Sequence, residues 1–73
     1  PVSGYTVQVA SFKTNVYAQK EVALLKKRGY KAVTLKKGEH IILCVGNFPG
    51  IEEAQALLSE LNRYYKDCRI RRL

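Results

Sequence analysis

The sequence predicts an α+β domain with the element order βαββαβ, from chain length, the spacing of apolar residues and an internal repeat. The chain has 73 residues, of which 47% are hydrophobic and 26% charged. This composition is ordinary for a globular protein, and the length suits one small domain with a thin core. We therefore interpret residues 1–73 as a single domain, with residues 1–4 as a leader from a longer protein.

The repeat aligns residues 7–19 (VQVASFKTNVYAQ) with residues 43–55 (LCVGNFPGIEEAQ). Each half contains a strand, a turn with a phenylalanine and a helix that opens near Ala-Gln, so the two halves should fold alike. The aligned pairs are Val9 with Val45, Phe12 with Phe48, Ala18 with Ala54, and Leu25 with Leu61.

Two helices are predicted from apolar residues at helical spacing. The first should begin at Thr14 or Asn15, either of which can cap a helix, and should end at Gly29. The second should begin after Gly50 and fray between residues 63 and 66. The apolar stripes comprise Ala18, Val22 and Leu25 in the first helix, and Ala54, Leu57, Leu58 and Leu61 in the second.

Four strands are predicted at residues 5–11, 32–36, 41–46 and 68–72, with a turn at 36–40. Two βαβ halves related by a pseudo-twofold form a ferredoxin-like (RNP-like) sandwich, in which both helices cover one face of a four-stranded antiparallel sheet. The first and third strands should then be the central pair.

The other face of the sheet, the open face, is predicted from strand alternation. Val7 and Val9 should face the helices, as should Thr34, Cys68 and Ile70. The residues expected on the open face are Thr6, Gln8 and Ala10, Val33 and Leu35, Ile42 and Cys44, and Arg69 and Arg71. Since Cys44 and Cys68 fall on opposite faces, we predict no disulfide between them.

The net charge of +7, from 13 basic and 6 acidic residues, suggests a polyanionic partner. Nucleic acid, an anionic membrane surface and an acidic polysaccharide all fit, as does a role for the lysines in solubility alone. The chain lacks an apolar run long enough to insert into a membrane.

Catalytic and metal-binding patterns are missing from the sequence. His40 and Cys44 would lie ~13 Å apart on one strand, too far for a nucleophile and its base. There is no Cys-x-x-Cys or His-x-x-x-His spacing for zinc, and the carboxylates form no facing pair. We therefore predict no enzymatic activity, no metal and no cofactor.

Four stretches together resemble the SPOR domain, the sporulation-related repeat of bacterial cell-envelope proteins. They are YTVQVASF (5–12), RGY (28–30), CVGNF (44–48) and EEAQALLSEL (52–61), and the resemblance runs from Tyr5 to about Leu73. It implies the βαββαβ fold and a non-catalytic targeting module that binds septal peptidoglycan. The preferred ligand would be denuded glycan, from which amidases have removed the stem peptides.

The resemblance also implies a setting and a contact set. The setting is the periplasm or the cell exterior of a bacterium, at the end of a larger division protein or cell-wall hydrolase. Gln8 falls on the family's strand glutamine, while Ser11 and Phe12 match the turn after it. Ile42 stands where many members carry arginine. The expected glycan contacts are Thr6, Gln8, Ser11, Phe12, Ile42, Arg69 and Arg71.

In this interpretation Gln8 hydrogen-bonds a sugar amide or hydroxyl, and Arg69 or Arg71 pairs with carboxylates. Phe12 and Ile42 would pack together against ring CH groups. A plain structural interpretation also exists: Gln8 as a solvated strand residue, and the arginines as charges that protect a sheet edge.

Two other functions remain open from the residues. RNA-binding RRM domains share this architecture, but they stack bases on aromatic residues of the central strands, which the predicted open face lacks. A protein–protein adaptor could instead use the apolar residues Val33, Leu35 and Ile42.

Overall fold

A computed structural model describes residues 4–73 and contains the six predicted elements in the predicted order. The elements are β1 (Tyr5–Phe12), α1 (Asn15–Lys27), β2 (Ala32–Lys37), β3 (His40–Phe48), α2 (Ile51–Leu61) and β4 (Arg69–Arg72). The α+β fold class is confirmed, and the strand ends differ from the prediction by no more than two residues.

The sheet is antiparallel with strand order β2-β3-β1-β4, so β1 and β3 form the central pair as predicted. Both helices contact the sheet: α1 packs over β2, β3 and β1, and α2 over β1, β3 and β4. The described helices are too short and too polar to cross a membrane.

The core lies between the helices and the sheet, and it preserves the internal repeat. The aligned residues Ala18 and Ala54 are fully buried, as are Leu25 and Leu61. Alanine at each first position allows the helix to approach the sheet closely, and leucine at each second position fills the space between the layers.

Helix α1 ends as the sequence predicts. Gly29 has φ +93°, its N–H donates to the Lys26 carbonyl (3.0 Å), and the Tyr30 N–H donates to the Leu25 carbonyl (3.0 Å). These two bonds form a Schellman motif, in which a left-handed glycine satisfies the last carbonyls of the helix. Helix α2 ends earlier than predicted, at Leu61, and lacks such a glycine.

Two bulges interrupt the pairing of β1 with β3. The first is on β3: Tyr5 pairs with Phe48 and Val7 with Val45, so β3 has one extra residue in between. The second is on β1. Gln8 pairs with Cys44 and Ala10 with Leu43, so Val9 is an extra residue on β1. An extra residue reverses the alternation beyond it. The prediction that Ala10 lies on the open face is therefore wrong: Ala10 packs against the core.

Gly4 belongs to the folded unit, although the sequence suggests a leader over residues 1–4. It is buried, its carbonyl accepts a hydrogen bond from the Leu73 N–H (2.9 Å), and a Cβ there would lie 2.7 Å from the Phe48 carbonyl oxygen. Residues 1–3 of the predicted leader lie outside the described residues.

Candidate functional site

The open face is built by three rows of side chains that cross the sheet. Strand register aligns Val33, Cys44, Gln8 and Arg69 in the central row. Leu35, Ile42 and Ser11 form the row on one side, and Thr6 with Arg71 the row on the other. The face therefore grades from apolar on β2 to basic on β4, as predicted.

Gln8 and Arg71 are joined by a hydrogen bond across β1 and β4. An Nη1–H of Arg71 donates to Oε1 of Gln8 over 3.2 Å. Because a guanidinium only donates, the amide oxygen must be the atom that faces it. The amide is thereby fixed, and its N–H donors are directed away from Arg71.

The centre of the open face is a closely packed floor. Gln8 is only 8% exposed, and its neighbours Ile42 and Cys44 are also buried. The accessible surface lies around this floor, at Val33, which is 52% exposed, and at Ser11. A ligand on this face would therefore have to come close to the sheet to reach Gln8.

Thr6 lies on the open face but offers no free hydroxyl. Its Oγ1 donates into the bulge of β3, with the Gly46 carbonyl at 2.6 Å and the Val45 carbonyl at 3.1 Å. The side chain is also almost fully buried. Thr6 therefore fixes the strand next to Gln8, and it is a positioning residue.

Phe12 and Ile42, which the sequence pairs in one apolar contact, lie on opposite sides of the sheet. Beyond the β1 bulge, Phe12 pairs with Ile41 and packs against the core under the helices. The same bulge turns Ser11 to the open face, where it pairs with Ile42. Ser11 is exposed there, and Phe12 is half-buried.

A groove beside the open face contains residues that the sequence analysis missed. This groove, the loop groove, has a volume of about 490 Å³ between β1 and the segment that links α2 to β4. It places Tyr64, Lys66 and Asp67 near Gln8 and Arg69. Its lining is Gln8, Val9, Ala10, Ser11, Tyr64, Tyr65, Lys66, Asp67 and Arg69. No signal in the sequence marks this segment as part of a site.

The loop groove is held by contacts to α1. The Tyr65 hydroxyl donates to Oε2 of Glu21 (2.7 Å), and the Arg28 guanidinium lies 4.6 Å from the centre of the Tyr64 ring. Burial, and then the hydrogen bond to Glu21, raise the pKa of Tyr65 well above its ordinary value. Tyr65 therefore remains a neutral donor that ties the loop to the helix.

An apolar hollow of about 270 Å³ lies at the opposite end of the open face. Exposed Val33 and Leu73 contribute its apolar surface, and Lys31 adds a positive charge. The remaining lining residues are Thr6, Gly46 and Asn47. Two concave regions thus flank the pair of Gln8 and Arg71.

The two cysteines lie on opposite faces of the sheet, as predicted, and both are free thiols. Cys44 is fully buried beneath the open face, and Cys68 packs against the core while its Sγ–H donates to the Tyr65 carbonyl (2.9 Å). Burial raises the pKa of both thiols. A protonated, inaccessible thiol is a poor nucleophile, so Cys44 is structural.

Within residues 4–73, no three His, Cys, Asp or Glu side chains converge on a point that could hold a metal ion. His40 is exposed and pairs with Lys37 beside the turn between β2 and β3. What the open face offers a ligand is hydrogen-bond donors, positive charge and apolar surface.

Comparison with known proteins gives one structural neighbour and one family. The solution structure of the peptidoglycan-binding domain of the B. subtilis cell wall lytic enzyme CwlC superposes with a TM-score of 0.81 and 20% identity, covering 100% of this chain and 92% of that one. A search of curated protein sequences found no significant match. The sequence model of the SPOR domain matches residues 1–72, and the chain belongs to the SPOR domain family.

Proposed function

We propose that this domain is a non-catalytic module that binds peptidoglycan and prefers glycan strands without stem peptides. The observation that carries the proposal is the fixed amide of Gln8, held by Arg71 at the centre of a face that is basic on one side and apolar on the other. Membership of the SPOR family and the peptidoglycan-binding function of the CwlC domain support it.

Charge provides the first basis for selecting a denuded strand. Removal of a stem peptide exposes the lactyl carboxylate of each muramic acid, so the strand becomes a regular polyanion. Arg69 and Arg71 lie on the open face, and Lys66 lines the loop groove beside them. Charge-assisted hydrogen bonds from these groups to carboxylates would favour the denuded strand.

Shape provides the second basis. The floor of the open face is buried, so a ligand must come close to the sheet to reach Gln8. A stem peptide on every muramic acid would hold the sugar rings away from this floor. The N–H donors of Gln8 would bond an acetamido or hydroxyl oxygen, and Val33 and Ile42 would contact ring CH groups.

The remaining predicted contacts have different roles in this proposal. Ser11 is exposed beside Ile42 and can donate or accept a hydrogen bond. Thr6 positions the β3 bulge, and Phe12 supports β1 from the core side. The contact set is thus Gln8, Ser11, Ile42, Arg69 and Arg71, with Val33 added from β2 and Lys66 from the loop groove.

Such a module would direct a larger division protein or cell-wall hydrolase to the septum. Its ligand exists only in the cell envelope, so the domain would act in the periplasm or outside the cell.

The test is co-sedimentation of the domain with purified sacculi, untreated and amidase-treated, with single-stranded RNA in parallel. We expect several-fold stronger pelleting with amidase-treated sacculi than with untreated sacculi. Gln8→Ala should reduce this pelleting, and the urea unfolding midpoint of the variant should show that the domain is still folded. Equal pelleting with both sacculi would contradict the preference for denuded glycan. Binding to RNA alone would contradict the proposed ligand altogether.

A further inference from the structure

The outer surface of α1, on the side of the molecule away from the open face, is both apolar and basic. Tyr17 and Leu24 are 62% and 48% exposed, and Val16 is equally accessible. Lys20 and Lys27 lie two helical turns apart on the outermost line of the helix. These exposed apolar residues are not used by the proposed glycan site.

Four residues of this surface form a hole suited to a facing helix. Lys20, Ala23, Leu24 and Lys27 enclose a shallow, almost entirely apolar hollow. Their spacing of i, i+3, i+4 and i+7 is that of the hole that receives a side chain from a partner helix. Ala23 forms a low floor, and the two lysines would flank the inserted side chain with positive charge.

The outer surface of α2 is acidic, and its charge is thus complementary to that of α1. Glu52, Glu53 and Glu60 are exposed, with Ala56 between them and exposed Ile51 at the start of the helix. Residues 13–28 contain five basic residues and one acid, whereas residues 51–63 contain three acids and one base. The two helices of one chain thus carry opposite charge on their outer surfaces.

We propose that a second copy of this chain covers these surfaces, with α1 of each copy against α2 of the other. Both helices lie in one layer on the same face of the sheet. A twofold axis that runs between the helices brings α1 opposite α2 of the partner and repeats the contact, as an isologous interface requires. Basic α1 then meets acidic α2 twice.

The distribution of the remaining charge favours this face over the other. Outside the two helical segments the chain carries seven basic residues and two acids. Two open faces would therefore repel one another, whereas the helix layers present matched opposite charges. In this dimer the open faces point in opposite directions. If the proposed glycan binding holds, one dimer would bridge two glycan strands.

The test is sedimentation equilibrium of the isolated domain at low salt, with charge-reversed variants. We expect a monomer–dimer equilibrium whose Kd rises about tenfold in Lys20→Glu/Lys27→Glu, because each lost ion pair occurs twice in the dimer. Glu52→Lys/Glu53→Lys should weaken the dimer similarly. The variant with all four changes should restore it. Lys36→Glu/Lys37→Glu, the same charge change on β2, is the matched control and should leave the dimer intact.

Three results would overturn the proposal. They are a domain that stays monomeric at millimolar concentration, a dimer that the double charge reversals do not weaken, and a variant with all four substitutions that fails to regain the affinity of the dimer. Binding of a monomeric domain to anionic phosphatidylglycerol vesicles, lost in Lys20→Glu/Lys27→Glu, would assign the α1 surface to a membrane instead. Gln8→Ala separates the two proposals, since it should reduce pelleting with sacculi and leave the dimer unchanged.

Discussion

Gln8 and Arg71 act together on the open face, because the guanidinium of one fixes the amide of the other. A glutamine at the centre of a strand in so small a domain loses potential apolar burial. Here the side-chain oxygen of Gln8 already accepts a hydrogen bond from Arg71. Only the side-chain N–H donors of Gln8 therefore remain for a ligand.

Replacement of Arg71 by alanine should therefore lower the affinity for denuded glycan about tenfold or more, through the lost charge and the released amide. Arg72→Ala is the matched control, because Arg72 pairs with Tyr5 and faces the helix side of the same strand. It should change affinity by less than about twofold. The measurement is calorimetric titration with purified denuded glycan. Equal losses in the two variants would mean that net charge alone drives binding.

At the scale of residues, the sequence predicts correctly which β1 side chains lie on the open face up to Gln8, and it fails for the residues of β1 that follow. Alternation places Gln8 and Arg71 correctly, and it fails at Ala10 and Phe12 because the bulge at Val9 inserts one residue. A bulge depends on pairing with another strand, so alternation within β1 alone contains no sign of it.

At the scale of elements, the bulge of β3 depends on Gly46. Its φ is +81°, and a Cβ there would lie 2.5 Å from the Phe48 ring and 3.3 Å from Leu57. Thr6 donates to the Gly46 carbonyl, so the bulge also fixes the strand beside Gln8.

Gly46→Ala should lower the free energy of unfolding by about 2–3 kcal/mol, from left-handed strain together with overpacking. Gly38→Ala is the control, since Gly38 also has positive φ (+62°) but has nothing within 4 Å of its Cβ position. Gly38→Ala should lower the free energy of unfolding by only about 1 kcal/mol. Urea unfolding measures both, and similar losses would show that the Phe48 contact relaxes freely.

The segment between α2 and β4 is fixed by Tyr65. The raised pKa of Tyr65 means that the folded state keeps this proton at a pH where the unfolded chain has lost it. Stability from the bond to Glu21 is thus complete below about pH 10, the ordinary tyrosine pKa, and declines as the pH rises further.

Tyr65→Phe should be less stable than the native chain by about 1 kcal/mol at pH 8. This difference should shrink as the pH rises above 10, because only the native chain has the Tyr65 proton to lose. Urea unfolding from pH 8 to 11 measures it. A difference that stays constant or grows with pH would contradict the hydrogen bond.

Element boundaries were predictable where local chemistry sets them. Gly29 marks the end of α1 in the sequence because only a left-handed residue completes the Schellman motif. The position of Lys66 and Asp67 beside the open face could not be predicted from the sequence. It results from the contacts of Tyr64 and Tyr65 with α1, which is distant in the chain.

At the scale of the whole molecule, the two-layer fold separates two surfaces of different character. The internal repeat predicts this architecture because its matched residues must fill one core between helices and sheet. The net charge of +7 predicts a polyanionic partner but not its location. Only the folded chain gathers Lys66, Arg69 and Arg71 near Gln8.

The most direct test of the central claim is a titration of the ¹⁵N-labelled domain, followed by NMR, with denuded glycan fragments and with matched fragments that retain stem peptides. We expect denuded fragments to shift the Gln8 side-chain amide and the backbone amides of Ser11, Val33 and Arg69, while both helices remain unchanged. Fragments with stem peptides should shift them much less at the same concentration. Shifts confined to the helices, or equal responses to both fragments, would contradict recognition of denuded glycan by the open face.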